Sequence, residues 1–133
     1  MSEKDLVQRA TAARDKAYAR YSGFKVGAAL EARNGTVFTG ANIESISSGL
    51  ALCAERVALA KGVSEGHRVF KKLVIVADSR NPCTPCGSCR QALYEFGPDM
   101  AIVTVNFNGA RTETPVGDLL PGVFRLQDDG ETS

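Results

Sequence analysis

The chain has 133 residues, 44% of them hydrophobic and 23% charged, and a formal net charge of +1 at neutral pH. That composition describes one globular domain with an ordinary core, and gives too little basic excess to track a nucleic-acid backbone. No apolar run approaches the roughly 20 residues of a membrane span. The charged opening MSEKDLVQRATAARDKAY holds no signal-peptide core, so a cytoplasmic protein with reduced thiols is expected.

Leu6, Ala10, Ala13, Ala17 and Tyr21 recur at three- and four-residue spacing and predict an amphipathic helix, with Ser2 and Asp5 as a capping-box signal at its start. Phe24 to Ala32 and Thr36 to Ala41 read as strands joined around Asn34-Gly35. Helical composition returns from about Leu50, after Ser47, Ser48 and Gly49, and Gly62 is its expected stop. Leu73 to Ala77 (LVIVA) is a continuous apolar run, as in a strand buried on both faces. Pro82 and Pro85 bound a turn, a helix is predicted from Cys86 to Phe96, and Ala101 to Phe107 is the next strand. Strand, helix, strand implies a parallel pair. Thr112 to Thr114 predicts an edge strand, followed by a helical turn around Val116 to Leu120. The sum is a single α/β domain over residues 1–126, with a mixed sheet flanked by helices. Residues 127–133 (QDDGETS) are acidic, lack apolar side chains and are expected to be disordered.

The four cysteines are Cys53, Cys83, Cys86 and Cys89. Cys86 and Cys89, three apart at a helix start, share one face and form the Cys-x-x-Cys half of a zinc site. Cys53 and Glu55 are two apart, which inside a regular helix would turn them roughly 200° from each other. They can converge only at a helix terminus. Two helix N-termini would then face one metal, where partial positive charge favours thiolates. Three thiolates around a dication leave one net negative charge, which the helix ends and Arg56 would partly offset. Three protein ligands with an open fourth position, beside a carboxylate that can carry protons, is the pattern of a catalytic zinc. The competing reading is a closed structural site using all four cysteines, which gives Glu55 no role. His67 lies in the polar stretch SEGHR and reads as a solvated loop residue.

The blocks YSGFKVGAAL, GANIES, CAER and PCGSCRQAL resemble, in order and spacing, the small homotetrameric cytidine deaminase family of zinc-dependent nucleoside deaminases. The likeness runs from Ala17 to Phe124. It implies a three-layer α/β/α fold with a mixed sheet, one Zn²⁺ per chain held by Cys53, Cys86 and Cys89, and Glu55 as proton shuttle. It further implies that Phe24 lies beside the pyrimidine and that Asn42 and Glu44 hydrogen-bond the ribose hydroxyls. Arg56 would compensate the thiolate charge, and Phe124 would reach a neighbouring subunit's site in a homotetramer. The implied activity is hydrolytic deamination of cytidine and deoxycytidine, in pyrimidine salvage, with no nucleic-acid or membrane partner. One departure is Ser48 in NIESISSG, where the family usually has a tyrosine. It bears on substrate range, and keeps a deaminase of a modified cytosine nucleoside, of the blasticidin S type, as the alternative within this chemistry. A polynucleotide editor is disfavoured by the lack of a basic groove.

Overall fold

The computed structural model describes residues 1–77 and 87–120. Its first helix, α1 (Glu3–Arg14), begins with the expected capping box: the Ser2 hydroxyl accepts from the Asp5 N–H at 3.2 Å, and the Asp5 carboxylate accepts from the Ser2 N–H at 3.3 Å. Leu6, Ala10 and Ala13 form its buried stripe. The spacing of Ala17 and Tyr21 continues the helical pattern, yet both lie beyond the helix. The chain instead leaves α1 to pair with residues 42–44: the Tyr18 N–H donates to Asn42 O (2.9 Å), and the Glu44 N–H to Tyr18 O (2.8 Å). Backbone pairing from a distant segment thus overrides local helical periodicity.

Five strands form one sheet in the order β2-β1-β3-β4-β5. They are β1 (Val26–Ala32), β2 (Val37–Ala41), β3 (Phe70–Ala77), β4 (Ala101–Asn106) and β5 (Arg111–Pro115). β1 is antiparallel to β2 and β3, β3 and β4 are parallel, and β5 is antiparallel to β4. The mixed sheet and the parallel pair match expectation. All seven residues of β1 are buried, because helices cover both faces. On one face α1 packs Leu6 and Ala10 with Ala29, Val74, Val76 and Val103. On the other, α2 (Ala54–Ser64) and α3 (Gly87–Glu95) pack Ala54, Ala58, Leu59 and Leu93 with Ala28, Leu30, Leu73, Ile75 and Ile102. The result is the three-layer α/β/α arrangement.

Two strand glycines let the helices come this close. A Cβ on Gly27 would sit 1.9 Å from Ala10 O of α1, and one on Gly40 would sit 2.5 Å from Ala54 O of α2. Gly40 therefore fixes the height of the first turn of α2 above the sheet.

Gly62 does not end α2. It lies inside the helix, where a Cβ would meet the Phe70 ring at 2.7 Å; Gly66, at φ +101°, follows the helix end instead. His67 likewise differs from its solvated reading: it is half-buried, with its ring edge-on to Phe38 at 5.0 Å. Among the described residues no helix is long and apolar enough to cross a membrane. Cys83, Cys86, Phe124 and the predicted tail over 127–133 lie outside the described residues.

Candidate active site

The N-terminus of α2 organises the site. Cys53 is its N-cap, with extended backbone (φ −75°, ψ 151°), and its carbonyl accepts the first helical bond from Val57 N at 3.1 Å. Glu55 falls in the first turn. Because Cys53 stands outside the helical spiral, the 200° separation expected within a helix does not apply, and the two side chains approach each other. The helix start is not where the serines suggested. Ser48–Leu50 form a separate 3-10 turn, and α2 begins only after Cys53.

Glu55 is 5% exposed, a buried carboxyl that accepts a hydrogen bond from the thiol of Cys89, itself fully buried in the first turn of α3. Burial pushes the Glu55 carboxyl up to about 7, and the nearby Cys53 thiolate adds to the rise. Its own backbone N–H, the Cys89 thiol and the Arg56 cation act in the opposite direction. A carboxyl balanced near neutrality exists in both protonation states, as a group that takes up and returns a proton must. Arg56 donates from Nη2 to Ala51 O at 3.2 Å, while its buried Nε has no hydrogen-bond partner among the described residues.

The donor chemistry fits zinc. Cys53 and Cys89 bring thiols from two helix N-terminal turns to the same carboxyl, and soft sulfur donors at positive helix ends suit that ion. Among the described residues no three His, Cys, Asp or Glu side chains are arranged to hold a metal ion, and the expected third thiol, Cys86, lies outside them.

A second cluster lies just past the end of β2. Asn42 Oδ1 accepts from the Val26 N–H and its Nδ2 donates to Phe24 O, both at 2.9 Å. Glu44 Oε1 accepts from the N–H groups of Tyr21 and Ser22, each at 3.0 Å, and Oε2 accepts from the Ser22 hydroxyl. These donors, the Ser22 hydroxyl foremost, hold the Glu44 carboxyl below its ordinary range. Both side chains therefore grip the loop that carries Phe24, whose ring is partly exposed. Neither is exhausted. An amide has two donors and two acceptor directions, and a carboxylate about four, so each keeps capacity for a hydroxyl.

The two clusters are coupled by a link the sequence does not announce. Ile43, between Asn42 and Glu44, exchanges both backbone hydrogen bonds with Leu52 at 2.9 Å, one residue before Cys53. Phe24, Asn42 and Glu44 are thus tied through one bridge to Cys53 and Glu55. A separate groove of about 350 Å³ runs along the outer edge of β2 between Arg9, Lys16 and Lys61; among the described residues none of the expected site residues lines it.

Comparison with known proteins bears on this arrangement. The family described as the cytidine and deoxycytidylate deaminase zinc-binding region matches residues 1–105. A cytidine deaminase of Sporosarcina psychrophila is 45% identical over 129 residues, covering 96% of this chain and 95% of that protein. One from Halalkalibacterium halodurans is 46% identical, covering 96% and 98%. A crystal structure of cytidine deaminase from Burkholderia pseudomallei superposes with a TM-score of 0.90 at 46% identity, covering 93% of this chain and 100% of that one. A blasticidin-S deaminase of Bacillus cereus is more distant, 30% identical over 104 residues. With thiols from two helix ends meeting a buried glutamate in a fold shared over 93% of the chain, this chain belongs to the zinc-binding cytidine and deoxycytidylate deaminase family.

Proposed function

We propose that the protein is a cytidine deaminase, converting cytidine and deoxycytidine with one water to uridine and deoxyuridine plus ammonia. The observation that carries this is Glu55, buried between Cys53 and Cys89 and held near neutral pKa, in a chain whose relatives are named cytidine deaminases. Cys53, Cys86 and Cys89 would hold one zinc per chain. When bound, zinc supplies a Lewis acid that lets water ionise near neutral pH. Glu55 would take one proton of the attacking water and place it on N3 of the pyrimidine as the water oxygen bonds to C4. It would then carry the second proton of that water to the C4 amino group, and the C4–N bond breaks to release ammonia. Burial serves this role by excluding bulk water from the carboxyl. Arg56 offsets the thiolate charge, Phe24 flanks the ring, and Asn42 and Glu44 receive the sugar hydroxyls with their remaining lone pairs and N–H.

Free nucleosides are the expected substrates. Glu44 is kept ionised by its donors, and its charge opposes a phosphate beside the sugar. A panel of cytidine, deoxycytidine, CMP, cytosine, adenosine and blasticidin S at equal concentration tests this by following ammonia release. Cytidine and deoxycytidine should turn over, with the others slower by factors of up to about 10⁴ where site groups are left unpaired. CMP turning over as fast as cytidine would remove the sugar role of Asn42 and Glu44. Turnover of blasticidin S alone would shift the assignment to that activity.

The same reading makes the protein a cytoplasmic homotetramer working in pyrimidine salvage. Support comes from apolar side chains around the site: Ile46 is 90% exposed and Leu50 71%, with Tyr18, Tyr21, Ile43 and Leu52 also open. Apolar surface of this kind beside a pocket marks an interface. Light scattering should return four chains per particle. Truncation before Phe124 should impair turnover while metal remains bound, and a fully active monomer would overturn the assembly.

A further inference from the structure

We propose that Ser22 is a positioning residue which sets, through one hydroxyl, both the sugar-binding carboxylate and the wall beside the base. The proposal rests on the assignment of Glu44 and Phe24 to substrate given above. Ser22 lies in the turn before β1, next to Gly23 at φ +73°. Its oxygen accepts from the Phe24 N–H at 2.9 Å, and its hydroxyl also meets Glu44 Oε2. An ionised carboxylate only accepts, so the single Ser22 proton is committed to Glu44.

The lone pairs can be followed one at a time. Oε1 of Glu44 receives two N–H donors, from Tyr21 and Ser22, and both its acceptor directions are used. Among the described residues Oε2 receives the Ser22 hydroxyl alone, which leaves one direction on that oxygen. A sugar hydroxyl has only this direction to donate into. Ser22 therefore selects where on Glu44 the sugar binds, and it does so from the residue whose hydroxyl also fixes the backbone of Phe24. The Phe24 carbonyl is held from the other side by Asn42 Nδ2. Without the Ser22 hydroxyl, Oε2 is free to swing and the Phe24 N–H loses its acceptor. Sugar recognition and base placement would loosen together.

Ser22→Ala and Ser22→Thr, each as full-length zinc-loaded protein, test this beside Glu44→Gln. Steady-state kinetics with cytidine should show KM raised about tenfold to a hundredfold in Ser22→Ala, the range for a hydrogen bond to a charged group. Its kcat should fall by less than about threefold. Ser22→Thr keeps the hydroxyl and should restore KM. Calorimetry with uridine and 2′,3′-dideoxyuridine gives a readout separate from turnover. The preference for uridine should shrink in Ser22→Ala and in Glu44→Gln, and persist in Ser22→Thr. If Glu44→Gln loses the preference but Ser22→Ala keeps it, the proposal is overturned while the sugar site stands. If Ser22→Ala weakens both ligands equally and threonine does not rescue it, Ser22 is only structural, which also overturns it. If Glu44→Gln leaves the preference untouched, the sugar role of Glu44 fails, and the Ser22 role with it.

Discussion

Glu55→Gln should retain metal at the level of the parent protein and lower kcat by about 10²–10⁴-fold, the usual worth of general acid–base catalysis. The amide has nearly the volume of the carboxyl, so the packing of this 5% exposed side chain between α2 and α3 is preserved. It cannot take a proton and return it. Burial sharpens the contrast, because a carboxyl 5% exposed has little bulk water to replace it as a proton carrier. Metal analysis and steady-state kinetics on one preparation decide the matter. Turnover within a few-fold of the parent would remove Glu55 from the proton path and sink this mechanism.

How much of this site could be read from the chain alone depended on whether its signal was local. The Cys53–Glu55 spacing carried its own geometry: two residues apart, they could meet only at a helix end, and Cys53 is the N-cap of α2. The Ser2–Asp5 box was equally local. Gly62 misled because a glycine late in a helical run has two physical meanings, a left-handed stop or a close contact, and only tertiary packing against Phe70 distinguishes them. Tyr21 misled for a related reason. Its spacing fits α1, but the pairing of Tyr18 with residues 42–44 draws the chain out of the helix. Asn42 and Glu44 carried no local signal; the family resemblance singled them out, and their grip on the Phe24 loop is visible only in three dimensions. Ser22 was invisible by the same logic. A hydroxyl in a turn has no periodicity, and its importance lies in which two groups it touches. The Ile43–Leu52 bridge joins the two clusters across a loop, where no sequence pattern records backbone pairing.

Replacing either thiol that faces Glu55 should cost more than replacing Glu55 itself, and should do so without unfolding the protein. Cys53 makes no side-chain capping bond to α2, so Cys53→Ser loses no helix stabilisation and introduces a hydroxyl of the kind preferred at that position. In Cys89→Ser the new hydroxyl can donate to the Glu55 carboxyl as the thiol does. Both variants should therefore melt as cooperatively as the apo form of the parent. Both should lose most of their zinc, because a hydroxyl is far harder to ionise than a thiol and is a poor ligand for this ion. Turnover should drop below that of Glu55→Gln, since the remaining groups then lack the Lewis acid as well as part of the site's charge. Cys83→Ser, outside the matched motif, should keep both metal and activity. Metal analysis of the three serine variants, with melting curves alongside, separates the arrangements. Zinc retained in Cys53→Ser and Cys89→Ser would dismiss the proposed ligand set, whereas zinc lost in Cys83→Ser would point to four thiolates closing the site and leave water no place on the metal.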